Sequence, residues 1–135
     1  MAEQTPPSDN TGGDARPHIL LVDDEDMITD MAKDALEDRG YSVSVFNNPE
    51  VALGAFRNMS RNVDLILVDH AMPEMSGIQL AEECRSLNPD IPIVMATGYA
   101  AGIDESRMTE GMFAAILEKP YRLKALCEVI DQILG

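Results

Sequence analysis

Four short apolar runs in this chain each stop on residues that can do chemistry. Ile19–Val22 runs into Asp23-Asp24, Leu65–Val68 into Asp69, Ile93–Ala96 into Thr97, and Ala114–Leu117 into Glu118-Lys119. One acidic run-end would mean little, because aspartate is a common turn residue and helix N-cap. Several together are a different matter. Carboxylates gathered at one place raise each other's pKa or demand a cation, and a single lysine cannot neutralise three of them. A hard divalent ion with oxygen ligands can, and Mg²⁺ suits a few carboxylates together with water and a substrate phosphate. A carboxylate can also act as a nucleophile and carry an acyl phosphate. A metal and an ammonium would then offset charge on the transferring oxygens, with a hydroxyl donating to one of them. The combination points to phosphoryl chemistry.

Whether the groups meet depends on the elements that carry them. The run 18–22 is a short buried strand, and Ile28, Met31, Ala32, Ala35 and Leu36 follow it at helical spacing until Gly40. Residues 42–46 (SVSVF) alternate as a strand. Asn48-Pro49 supplies an N-cap and a first-position proline for a helix carrying Ala52, Ala55, Phe56 and Met59. Residues 64–69 form a third strand, and Ser76 with Gln79 makes a capping box ahead of Leu80, Ala81, Cys84 and Leu87. A fourth strand covers 91–97, with Pro92 tolerable only near its start. A loop and short helix from about Asp104 follow, then a fifth strand at 114–119 and an amphipathic helix over 123–134. Strands alternating with helices predict a parallel sheet covered on both faces. Sites in such sheets lie beyond the carboxyl ends of the strands, where Asp23, Asp24, Asp69, Thr97 and Lys119 all fall. Asp26 is expected to cap the first helix and Glu25 to be a solvated carboxylate.

Composition bounds the rest. The chain has 135 residues, 45% of them hydrophobic, which suits one globular domain. Residues 1–16 (MAEQTPPSDNTGGDAR) lack periodicity and read as a flexible tail or linker, leaving 17–135 as the folded unit. A net charge of −14 argues against nucleic-acid phosphates or an anionic membrane as partners. Cys84 and Cys127 fall on apolar helix stripes, as reduced core thiols of a cytoplasmic protein do. No apolar run is long enough to span a membrane and no signal peptide is apparent. Phosphate-loop, dinucleotide-binding, nucleophile-elbow and Cys/His metal motifs are all missing.

The stretches ILLVDDE (19–25), LILVDHAMPEMSG (65–77), IVMATGY (93–99) and LEKPY (117–121) together resemble the receiver domain of two-component response regulators. The resemblance covers about residues 18–134, in the family's order and spacing. It implies a three-layer (βα)5 flavodoxin-like fold, with a doubly wound parallel five-stranded sheet in the order 2-1-3-4-5. It also implies that Asp69 is the phosphoacceptor, charged by a histidine kinase or a phosphotransfer protein. Mg²⁺ would be bound by Asp24 and Asp69, by Asp23 through water and by the backbone carbonyl of Ala71. Thr97 would be the switch hydroxyl and Lys119 its partner, followed by Pro120 in a step that is often cis. Met72-Pro73 and Gly77 would shape the loop below the acceptor. The face formed by residues 97–134 would report phosphorylation to a downstream protein.

Three positions depart from the family pattern. Ile116 stands where an aromatic residue usually rotates inward with the threonine, and Ala71 and Tyr99 occupy positions that influence phosphoryl lifetime. His70 reads as a rim residue, His18 as the start of the first strand, and Met72 and Met75 as packing beside the pocket. The expected role is a signalling phosphoacceptor rather than an enzyme, either a stand-alone regulator or the carboxyl-terminal receiver of a hybrid sensor kinase. The alternative is a Mg²⁺-dependent phosphohydrolase with an aspartyl nucleophile. That enzyme class needs a second acid/base two residues after the nucleophile, where this chain has Ala71.

Overall fold

The computed structural model describes residues 16–72, 74–98 and 113–134. In chain order the elements are β1 (His18–Val22), α1 (Asp26–Asp38), β2 (Ser42–Phe46), α2 (Pro49–Met59) with a 3-10 turn at Ser60–Asn62, β3 (Leu65–Asp69), α3 (Gly77–Leu87), β4 (Ile93–Thr97), β5 (Ala115–Glu118) and α4 (Leu123–Leu134). The expected helix from about Asp104, and the position of Tyr99, lie outside the described residues.

All five strands pair in parallel, in the order β2-β1-β3-β4-β5. Side chains alternate across the pleat and build two cores. Leu20, Val22, Ile66, Val68, Ile93 and Met95 face the helices that supply Ala52, Phe56, Leu80 and Cys84, which are α2 and α3. Ile19, Leu21, Leu65, Leu67, Val94 and Leu117 face Ala32 and Leu36 of α1 and Leu126, Cys127 and Ile130 of α4. The sheet is therefore the middle of three layers, and β3 and β4 are buried along their whole length. A strand covered on both faces must be apolar throughout. A charged group is accommodated most readily at its end.

The caps are local chemistry. Asn48 accepts from the backbone N–H groups of Glu50 and Val51, with Pro49 in the first turn. Ser76 and Gln79 form the expected capping box. At the end of α1, Gly40 takes φ +96°, so its N–H bonds the carbonyl of Glu37 and that of Tyr41 bonds Leu36. Those two bonds satisfy carbonyls the helix would otherwise leave open. The start of α1 differs from expectation: Glu25, not Asp26, occupies the N-cap, and no side chain caps that end. Asp26 lies inside the first turn, where its charge suits the helix dipole. Cys84 and Cys127 are buried and unpaired with each other, as expected. Among the described residues no helix is long and apolar enough to cross a membrane.

Candidate metal and phosphoryl site

Parallel strands bring all their carboxyl ends to one edge of the sheet. β1 and β3 are neighbours in register, Val22 opposite Val68, so Asp23 and Asp69 leave the sheet side by side. Asp69 is opposite Ala96, Thr97 is the next residue along β4, and Thr97 is opposite Glu118, the residue before Lys119. The backbone N–H of Lys119 donates to the carbonyl of Thr97 at 2.7 Å, tying the two strand ends together. The Lys119–Pro120 peptide is cis.

One carboxylate oxygen each from Asp23, Asp24 and Asp69 lies within 4.8 Å of the others. Asp23, Asp69 and Thr97 are buried, while Asp24 is exposed at the mouth. Asp23 is held from several sides. Its N–H donates to the carbonyl of Phe46 at 3.1 Å, and its own carbonyl accepts from the Asn47 side chain at 2.8 Å. Lys119 Nζ then reaches Asp23 Oδ2 at 2.9 Å, Glu25 Oε1 at 3.0 Å and Asp69 Oδ1 at 3.3 Å. Glu25 is exposed, yet its carboxylate is ion-paired and not simply solvated, which corrects the reading from sequence.

Three carboxylates on one ammonium, with Asp24 beside them, leave an excess of negative charge, and the carboxyl and phenol groups shift accordingly. Burial and the adjacent Asp23 charge push the Asp69 carboxyl up to about 6 from 3.8, against the pull of Lys119. Burial alone would lower the Lys119 ammonium, but its hydrogen bonds to Asp23 and Glu25 and the neighbouring charges hold it above its ordinary value. The Tyr121 phenol, two residues further on, rises to about 12 through burial and the Asp23 charge. This is an acidic pocket that repels its own charges until a cation enters. Three carboxylate oxygens gathered this closely are the donor set that a hard divalent cation such as Mg²⁺ takes.

The floor of the site depends on Gly77. A Cβ there would sit 2.4 Å from the carbonyl oxygen of Asp69, and the Gly77 N–H donates to the carbonyl of His70 at 2.9 Å. The first residue of α3 therefore packs directly on the backbone of the acidic strand end. Met72 and Met75 pack against the α2/α3 core beneath the loop, as expected, and Pro73 lies outside the described residues. Ala71 is exposed in the same loop. His70 is half-buried, with Nδ1 3.4 Å from Thr97 Oγ1. Ile116 packs into the α2/α3 core, an aliphatic side chain where the family resemblance would place an aromatic one.

Three features escaped the sequence. Nothing in the spacing of Glu25 announces its contact with Lys119, across 94 positions. His18 starts β1 but also binds two hydroxyls, Ser42 through Nδ1 at 3.1 Å and Ser44 through Nε2 at 2.8 Å. A groove of about 220 Å³ opens beside the site, lined by Ile28, Met31, Lys119, Pro120, Tyr121 and Leu123. Met31 of α1, 53% exposed, belongs to its open side.

Comparison with known proteins agrees with this architecture. Residues 19–131 match the model of the response regulator receiver domain. The chain is 36% identical over 116 residues to the response regulator receiver protein CpdR of Brucella abortus, covering 86% of this chain and 94% of CpdR. It is 33% identical over 116 residues to the sensor kinase CckA of the same organism, covering 86% of this chain but only 12% of the kinase. Among solved structures, the response regulator TrrA of Thermotoga maritima, in complex with Mg²⁺-BeF, superposes with a TM-score of 0.75 at 31% identity. That match covers 87% of this chain and 99% of TrrA. The chain belongs to the response regulator receiver domain family, and it is a receiver domain of two-component signal transduction.

Proposed function

We propose that Asp69 is the phosphoacceptor of this receiver, and that it takes a phosphoryl group from a phosphohistidine on a histidine kinase or a phosphotransfer protein. The observation that carries the reading is Lys119 Nζ at 3.3 Å from Asp69 Oδ1, inside a triad of carboxylates that fits a divalent cation. In the transfer, a carboxylate oxygen of Asp69 forms the new P–O bond as the P–N bond to the donor imidazole breaks. Asp24 and Asp69 would hold Mg²⁺ directly, with Asp23 acting through water and the carbonyl of Ala71 completing the protein ligands. When bound, the ion would neutralise charge on the phosphoryl oxygens. Lys119 donates to one of those oxygens and Thr97 to another. Asp23, fixed by Phe46 and Asn47, keeps the ammonium at the pocket in the meantime.

The groove beside Lys119, lined by Ile28, Met31, Pro120, Tyr121 and Leu123, offers a protein surface a place to pack next to the pocket, which supports a protein as the phosphodonor. Partner binding by the face spanning residues 97–134 is the proposed output, and residues 17–135 are the proposed receiver unit after a linker at 1–16. Two buried free thiols favour a reducing cytoplasmic location. The role is that of a signalling phosphoacceptor. Ala71 leaves the pocket without the second acid/base that turnover of phosphate esters would need.

The test is to incubate the protein with Mg²⁺ and a small phosphodonor, then measure intact mass and acid-stable, base-labile phosphate. Wild type should gain one phosphoryl group and Asp69→Asn none. Equal labelling of the two would refute the assignment, and sustained turnover of a phosphate ester would favour a hydrolase.

A further inference from the structure

Lys119 has three carboxylate partners, and one of them is not part of the metal-binding triad. Asp23 and Asp69 belong to that triad; Glu25 does not. Glu25 occupies the N-cap of α1, yet its side chain accepts no hydrogen bond from the helix and extends to Lys119 at 3.0 Å instead. Its backbone is fixed on both sides. The Glu25 N–H donates to Asp23 Oδ1 at 2.9 Å, and its carbonyl accepts from the N–H of Thr29 at 3.1 Å. A well-anchored residue thus hangs a 59%-exposed carboxylate across the mouth of the pocket, on the ammonium that the chemistry needs.

The geometry points to Glu25 as a positioning residue for phosphoryl transfer, restraining Lys119 and screening the pocket against small anionic phosphodonors. This rests on the reading of Asp69 as the acceptor. Two effects act in the same direction. An ammonium shared with Glu25 must loosen that contact before it donates fully to a phosphoryl oxygen. A fixed negative charge at the entrance also repels an incoming dianion, by an interaction that salt screens over about 8–10 Å. A donor histidine carried on a protein surface brings its own complementary groups over the same rim, so the screen acts mainly on free small molecules.

The experiment uses the full chain and compares wild type, Glu25→Gln and Glu25→Asp. Each is phosphorylated on Asp69 by acetyl phosphate, a dianion, and by phosphoramidate, whose protonated nitrogen brings its net charge closer to neutral. Rates are followed across a range of ionic strength. With acetyl phosphate, Glu25→Gln should react roughly two- to fivefold faster, the size expected from an exposed ion pair. The gain with phosphoramidate should be smaller, and the salt dependence with acetyl phosphate flatter than in wild type. Glu25→Asp keeps the charge but shortens the reach to Lys119, and should fall between the two. Unchanged rates in Glu25→Gln would overturn the inference alone, provided that wild type is labelled on Asp69. An equal gain with both donors at every ionic strength would also overturn it. Failure of both donors to label wild type would remove the acceptor reading and this inference with it.

Discussion

The charge excess in the pocket can be measured without any phosphodonor, by replacing Asp69 with Asn in the metal-free protein. The variant keeps the shape of the side chain and removes one of the crowded charges. The Asp69 carboxyl lies at about 6 rather than 3.8 in the folded protein. At about 1.4 kcal/mol for each pH unit of displacement, keeping Asp69 ionised costs the folded state up to about 3 kcal/mol. The Asn amide must itself be buried and hydrogen-bonded in place of the carboxyl, which lowers the expected net gain to about 1–2 kcal/mol. For a domain of this size that corresponds to a melting temperature higher by about 4–8 °C. The sign follows from proton binding. A carboxyl whose folded pKa is raised penalises the folded state fully above that pKa, and the penalty fades as pH falls from about 6 toward 4. Calorimetry or circular dichroism in EDTA should therefore show Asp69→Asn above wild type at about pH 8 and close to it near pH 4. Mg²⁺ should reverse the order, because a ligand of the folded state stabilises the protein that binds it more tightly. A variant no more stable than wild type in EDTA would refute the charge-crowding argument. So would a gain of the same size at both ends of the pH range.

Gly77→Ala forces a methyl group against the Asp69 carbonyl, 2.4 Å away, and should cost about 1–3 kcal/mol in urea unfolding while slowing phosphorylation; a neutral variant would show that the loop relaxes freely. His18 is held below its ordinary pKa of 6.5 by burial, against the raising pull of Asp64. The unfolded chain therefore takes up the proton first as pH falls through about 6.5, and this contribution to stability is lost below it. His18→Gln should reduce that part of the acid loss, read as urea midpoint against pH. Burial pushes the Cys84 thiol up to about 12 and raises that of Cys127, so neither should react with a thiol reagent at neutral pH until the chain is unfolded, when both should react. Fast labelling of the native protein would contradict the packing of α3 or α4.

Much of this molecule is written locally. The runs ILLV, LILV and IVMA are apolar at every position because β1, β3 and β4 are covered on both faces, and the alternation of 42–46 marks β2 at the sheet edge. Asn48-Pro49, Ser76 with Gln79, and Gly40 announce helix ends because caps are satisfied within a few residues. Once parallel strands are expected, Asp23, Asp24, Asp69, Thr97 and Lys119 must share an edge, since every strand delivers its carboxyl end to the same side. Tertiary structure decided what those residues touch. The first turn of α1 opens on Glu25 rather than Asp26 because Asp23 accepts the Glu25 N–H and Lys119 draws its carboxylate away from the helix. The close approach of Gly77 to Asp69 depends on where α3 lands on β3. The tie between the turn after α1 and α4 likewise runs from Arg39 and Tyr41 to Asp131, across some 90 positions. Periodicity and capping report interactions a few residues long. An ion pair between residues 25 and 119 leaves no such trace, because its two halves meet only when β1 and β5 are placed in one sheet.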